Sequence, residues 1–298
     1  MSLYSSLPVG PLARAATAAV AALVVAVGAT ACGERTEPLG NQGQLFPVTV
    51  ANGERPLVVP GPPRRVAVLD PALADILASL GARSRVAGLP LGADGRVRLG
   101  RLRALRPDLI LASSDLGDAV LSRAAAATGA PVYLASARSL REVERTITQL
   151  GVIMATPVPA RRLVRAIERQ RQLVATRVAA RPRVPVFVDL GFFTTASNQS
   201  LIGDLVREAR GDNVASDALP GVPFDLGALR ASDPAVYVAV SDSGSTLATL
   251  RKNPRTRRLT SVRSGRVVTI DAELLRPGPR IGQGLLELAR ALHPDAFR

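Results

Sequence analysis

Residues 157–181 read PVPARRLVRAIERQRQLVATRVAAR. Apolar residues recur at Leu163, Ile167, Val174 and Val178, a spacing that keeps them on one face of a helix, while arginines fill the other faces. Pro157 suits a first helical turn, and no Gly or further Pro interrupts the run between Ala160 and Arg181. The pattern predicts a helix of about 24 residues, roughly 36 Å long at 1.5 Å per residue, with only one side in need of cover. That length is unusual for a globular protein and reads as a joint between two folded units.

Outward from this run, both flanks alternate short apolar strands with helical segments, the pattern of α/β sheets with parallel strands. Before it, residues 66–69, 85–89, 109–112 and 132–135 read as strands separated by helical stretches. After it, 184–190 and 236–240 read as strands, with helical patterns over 201–210, 226–231 and 281–292. Two pieces of the first flank recur in the second. LADILASLGARSRVAG from Leu73 matches the spacing of LIGDLVREARGDNVAS from Leu201, and Leu102-x-x-Leu105 ahead of one strand is echoed by Leu226-x-x-Leu229 ahead of another. Such echoes are what two copies of one unit leave. The predicted organisation is a lobe over 46–156, a linking helix over 157–181 and a lobe over 182–298.

Composition narrows the function. In 298 residues, 47% hydrophobic and 21% charged content is that of a globular protein. Aromatics at 3%, with no Trp, argue against stacking platforms for single-stranded nucleic acid or large sugars. The formal charge of +14 rests on arginine, Lys252 being the sole lysine. Residues 157–181 hold 7 Arg against Glu168 alone, whereas 46–156 hold 14 Arg against 9 acids and 182–298 hold 15 basic against 12 acidic residues. The linking helix thus carries the largest single share of the excess. Cys32 and His293 are each single, so no intrachain disulfide can form and a zinc site of Cys and His lacks ligands.

The N-terminal segment carries an export signal. Arg14 precedes seventeen uncharged small or apolar residues, 15–31, a run short for a spanning helix and shaped like a secretory signal. Its end, Ala29-Thr30-Ala31-Cys32, resembles a bacterial lipobox with Ala29 where Leu is usual. The expectation is a signal peptide over 1–31, a lipid on Cys32, and a polar Gly- and Pro-containing tether over 32–45. The mature protein is thus expected to be lipid-anchored at the cell membrane and extracytoplasmic, in a periplasm or on an outer face.

Five phrases carry a resemblance: Pro63-Arg64-Arg65-Val66-Ala67-Val68-Leu69-Asp70, Leu105-Arg106-Pro107-Asp108-Leu109-Ile110, Leu201-Ile202-Gly203-Asp204-Leu205, Gly211-Asp212-Asn213-Val214 and Arg276-Pro277-Gly278-Pro279-Arg280. In this order, over residues 46–298, they resemble the iron-siderophore and vitamin B12 substrate-binding proteins of ABC importers. The resemblance implies an α/β fold of two Rossmann-like lobes joined by a single long backbone helix, a ligand cleft between the lobes, hand-over to an ABC permease, and no chemistry on the ligand. A monomer without a cofactor is expected.

Ligands of open α/β sheets sit beyond the carboxyl ends of the strands. The candidate ligand-binding residues are accordingly Asp70, Pro71, Ser114 and Asp115 in the first lobe, and Phe192, Phe193, Thr194, Thr195, Asn198, Ser241, Arg276 and Arg280 in the second. Naked zinc or manganese would demand several His and carboxylates, and only His293 exists. A pre-formed metal chelate remains: a ferric siderophore foremost, with a corrinoid or haem also open. No G-x-S-x-G, H-E-x-x-H or strand-following G-x-G-x-x-G occurs, so no catalytic residues are expected. Nucleic-acid binding has only the basic balance behind it and is set aside for an exported chain. The rival reading is a membrane-tethered envelope binding or scaffold protein of the same fold that no longer feeds a transporter. The resemblance further implies one exposed acid per lobe for permease docking. Asp204 stands in that position in the second lobe, while Gly100-Arg101 replaces the acid in the first and leaves Asp94 as the nearest substitute.

Overall fold

A computed structural model describes residues 46–298. The expected signal, Cys32 and the tether lie outside the described residues. An antiparallel hairpin, β1 (Val48–Val50) and β2 (Leu57–Val59), opens the first lobe. Then follow β3 (Val66–Val68), α1 (Pro71–Ser79), β4 (Val86–Gly88), α2 (Leu99–Ala104), β5 (Leu109–Ser113), α3 (Asp118–Thr128), β6 (Val132–Ala135) and α4 (Leu140–Ile153). The linking helix is α5 (Pro157–Val178). The second lobe comprises β7 (Val184–Asp189), α6 (Leu201–Glu208), β8 (Gly211–Asn213), α7 (Leu226–Ser232), β9 (Val236–Val240), α8 (Leu247–Lys252), α9 (Thr260–Arg263), β10 (Val267–Ile270), α10 (Ala272–Leu275) and α11 (Ile281–Leu292).

Each lobe is built on a four-stranded parallel sheet, ordered β4-β3-β5-β6 in the first and β8-β7-β9-β10 in the second. The two orders correspond strand for strand, so the sequence echoes reflect a repeated topology. Strands β8 and β10 and the β1–β2 hairpin go beyond the sequence expectation, and β4 is shorter than expected because a 3₁₀ turn occupies Arg83–Arg85.

The strands alternate between two buried faces, as parallel sheets covered on both sides must. Val66, Val68, Leu109 and Leu111 of the first sheet and Val186, Val188, Val236 and Val238 of the second join one core with α4, α5 and α11. The intervening Ala67, Ile110 and Ala112 pack under α2 and α3, and Phe187, Tyr237 and Ala239 pack under α7 to α9. Helix starts are set locally: Asp70, Ser139, Ser200 and Asp225 each accept a backbone N–H of the helix that follows.

Along α5, Ala160, Ile167, Val174 and Val178 are buried and the arginines stand outside. One stripe on one helix therefore closes the cores of both lobes. Contact is tight at two glycines. A Cβ on Gly151 of α4 would lie 2.3 Å from the Ala160 Cβ, and one on Gly282 of α11 would lie 3.2 Å from the Ile167 Cα. The helix stops at Val178, three residues short of the predicted Arg181.

The substitution Gly151→Ala should destabilise the protein by about 1–3 kcal/mol through overpacking. Thermal unfolding should show a lower Tm, partly restored when Ala160→Gly is added.

Candidate functional site

The carboxyl ends of both sheets meet at a cleft. Asp70 and Ser113, at the ends of β3 and β5, line a small cavity with Ala135, Ser136 and Ala137 beyond β6, and Pro277 of the second lobe closes it. Beside it lies a recess of about 410 Å³, walled by Asp75 and Ser79 of α1 and by Glu273, Arg276, Gly278, Pro279 and Arg280 of the segment after β10. The structure thus brings Asp70, Arg276 and Arg280 together. Glu273 pairs with Arg276 and lies 3.7 Å from Arg280. With Asp70 and Asp75 counted, two guanidiniums face three carboxylates, so the cleft has no strong net charge.

Asp70 works first as a cap: its Oδ1 accepts from the Ala72 N–H at 2.9 Å, with Pro71 in the first helical position. Burial pushes its carboxyl above the ordinary value, against the lowering influence of that N–H and of the Arg276 charge across the cleft. Ser114 and the exposed Asp115 form a 3₁₀ turn after β5, with Asp115 close enough to oppose ionisation of Asp70. Ser136 is committed to Glu142, donating at 2.6 Å.

The second lobe's rim is continuous across three strand ends. After β7 the chain makes a two-residue hairpin in which Thr194 N–H donates to the Gly191 carbonyl (2.8 Å) and Leu190 N–H to the Thr194 carbonyl (2.9 Å). Its central residues, Phe192 and Phe193, have φ of 52° and 61°. This left-handed geometry suits Gly or Asn and costs a bulky L-residue roughly 1–2 kcal/mol. Phe193 turns toward the core under Phe187 and Phe224, whereas Phe192 is 89% exposed. A Cβ at Gly191 would lie 3.7 Å from the Ser243 Cα beyond β9, and Ser241 accepts from the Ala272 N–H beyond β10 (3.1 Å). Asn198 is exposed farther along the β7 loop, and Thr195 is buried with a hydroxyl that has no partner.

Asp189, the last residue of β7, was not singled out from the sequence. It is fully buried. Its Oδ1 accepts from the N–H groups of Gly191 (2.9 Å) and Phe193 (3.1 Å), and its Oδ2 from the hydroxyls of Tyr237 (2.7 Å) and Ser245 (2.5 Å). An Asp-Leu-Gly ending to an apolar strand was the available signal. The hydroxyl partners, 48 and 56 positions away, carried none.

Among the described residues, the phenol and imidazole side chains lie in the cores. Tyr133 is buried, its phenol pushed up to about 12 by desolvation, and it donates to Gln149. Burial and the neighbouring Asp189 hold the Tyr237 phenol above its ordinary value. His293 is buried at the end of α11, where desolvation lowers its pKa.

Of the two acids expected to dock a permease, Asp204 is placed otherwise. Asp204 is 4% exposed. Its Oδ2 accepts from the N–H of Leu140 (2.8 Å), the first residue of α4, and its Oδ1 pairs with Arg207. It ties the second lobe to the first rather than standing free at the surface. The reason is positional: the first turn of α6 abuts the start of α4, where a carboxylate satisfies an unpaired helical N–H. Asp94 is exposed in a turn and already paired with Arg98 at 2.9 Å.

The sequence pattern of the family described as "Periplasmic binding protein" matches residues 66–274. The chain belongs to that family. It is 23% identical to an uncharacterised ABC transporter substrate-binding lipoprotein, YvrC, of Bacillus subtilis, over 93% of this chain and 97% of the relative. It is 24% identical to a cobalamin-binding protein of Halobacterium salinarum, over 94% of this chain and 85% of that one. Its fold is similar to that of Helicobacter pylori CeuE crystallised with Ni(II), with a TM-score of 0.74 and 16% identity over 84% of this chain and 90% of that one.

Two outcomes test the placement of the acids. Asp204→Ala should cost about 1–3 kcal/mol by stranding the Leu140 N–H, read as a fall in Tm, and Asp204→Asn, which keeps an acceptor, should recover most of it. For Asp70, a folded-state pKa above the unfolded one means stability that is present below the unfolded value and lost as pH rises through the folded value. Asp70→Asn, an equal cap, should therefore melt above the wild type at pH 7, with the gap closing as pH falls through the carboxylate range. An Asn variant that melts lower at pH 7 would contradict the assignment.

Proposed function

We propose that this chain captures a metal chelate whose metal is already fully coordinated, a ferric siderophore or a corrinoid, and delivers it to an ABC importer. One observation carries the reading. Among the described residues the phenol and imidazole groups are enclosed in the cores, whereas the cleft offers guanidinium, carboxylate and hydroxyl groups. Such a surface grips the organic shell of a chelate and contributes no phenolate, imidazole or thiolate to the metal. The similarity to an ABC transporter substrate-binding lipoprotein and to a cobalamin-binding protein supports the same class. The near balance of cleft charges favours a chelate of low net charge over a polyanion. A lipid on Cys32 and the tether would hold the protein at the outer side of the membrane. Capture leaves the ligand chemically unchanged. A spine whose one stripe closes both lobes resists bending, so loading should move the lobes little.

The rival reading, a tethered envelope protein that no longer feeds a transporter, draws on the burial of Asp204 and the pairing of Asp94.

Calorimetric and thermal-shift titration of the mature chain with ferric desferrioxamine B, cyanocobalamin, hemin, zinc and manganese tests the proposal. One saturated chelate should bind at unit stoichiometry and raise Tm, since ligand at a hundred times Kd adds about 2.7 kcal/mol. Zinc and manganese should give no such site. Tight one-to-one binding of a bare cation, or hemin held through an iron–protein bond in its visible spectrum, would overturn it.

A further inference from the structure

The strained Phe192–Phe193 hairpin, the buried charge beneath it and the cleft beside it form one device. We infer that Asp189 is a positioning residue that holds Phe192 out into water as an apolar platform for the ligand, one that accepts a chelate with a flat or weakly polar face. The inference rests on the chelate-capture reading and adds to it the group that reads the ligand's surface.

Three features meet at this point. First, two consecutive aromatic residues occupy left-handed backbone, at φ of 52° and 61°, where local preference would place Asn or Gly. Strain of this kind persists only when the surroundings over-determine it. Second, Asp189 supplies that determination. One carboxylate oxygen takes the N–H groups of Gly191 and Phe193, fixing both ends of the strained pair, and the other is held by Tyr237 from β9 and Ser245 from the loop beyond it. Among the described residues no basic side chain pairs with Asp189, so four donors alone stabilise a fully buried carboxylate, a costly arrangement for packing alone. Third, the product is an exposed ring. Phe193 anchors the turn in the core, and its backbone carbonyl accepts from the Phe224 N–H at 2.9 Å. Phe192 is thereby the most exposed of the large apolar side chains among the described residues.

The cleft identifies the occupant. The rim runs from Gly191 to Ser243, from Ser241 to Ala272, and on to Glu273 and Arg276 at the wall of the recess. A ligand in the recess that reaches along this rim covers the ring of Phe192 and removes its apolar surface from water. Pre-paid strain makes that gain available without ordering the loop on binding.

The test uses cyanocobalamin and ferric desferrioxamine B on the mature chain. Phe192→Gly should raise the Tm of the free protein by roughly 2–4 °C as strain is relieved, while weakening whichever chelate the wild type binds roughly tenfold or more. Phe192→Trp should keep the affinity. In a chain without another Trp, its emission should be quenched on binding. Asp189→Asn should weaken binding comparably, and adding it to Phe192→Gly should cost little more, because one acts through the other. Should Asp189→Asn fail to fold, Ser245→Ala removes one of the four donors and should show the same non-additivity. Unchanged affinity in Phe192→Gly, or additive losses in the double variant, would overturn the inference while leaving chelate capture standing. A wild type that binds neither probe would overturn both.

Discussion

A single apolar stripe on α5, from Ala160 through Ile167 and Val174 to Val178, closes the cores of both lobes, and the remaining architecture depends on it. Helix α4 of the first lobe and α11 of the second pack on the same helix, each approaching closely through a glycine, Gly151 against Ala160 and Gly282 against Ile167. Because protein interiors are packed to crystal-like density, the lobes cannot slide along this seam without opening voids. The carboxyl ends of the two sheets are therefore held facing each other. The Asp204 carboxylate on the first helical N–H of α4 adds a polar tie across the same junction. A cleft built this way is preformed, which suits capture of a bulky ligand at low reorganisation cost.

Charge is divided according to the same plan. The outward faces of α5 carry arginines, of which Arg171 pairs with Glu144 and Arg177 donates to the Ala296 carbonyl, and they account for much of the excess positive charge. The cleft holds guanidiniums whose field is largely cancelled by Glu273, Asp70 and Asp75. Net charge thus says more about solubility and surroundings than about the ligand. Selection at the cleft falls to shape, hydrogen bonding and apolar contact.

Six non-glycine residues among the described residues take positive φ, and Phe192 and Phe193 are the one consecutive pair of them. The lobes obey propensity almost everywhere: β-branched residues in strands, Asp and Ser at helix starts, glycines at tight contacts. At the end of β7 two phenylalanines take a turn meant for smaller residues, over a buried carboxylate. Concentrated violations of this sort belong to functional surfaces rather than to packing.

The sequence by itself determined the two α/β lobes, the linking helix and the ends of β3, β5, β6, β7 and β9. Those features follow from hydrophobic period, capping residues and turn signals, all of which act over a few neighbouring positions. The repeat was visible because equal spacing survives where identity does not. Only the tertiary structure decided what depends on distant partners. Asp204 looked like a free surface acid until α4 was brought against α6, since nothing near it in the chain discloses the Leu140 N–H. Asp189 was unremarked because Tyr237 and Ser245 reach it through sheet pairing and a loop crossing. Phe192 and Phe193 are neighbours of the same type in the chain, yet one is half-buried against the core and the other faces water. That difference arises from the sign of two backbone angles fixed by a buried charge, which no periodicity records.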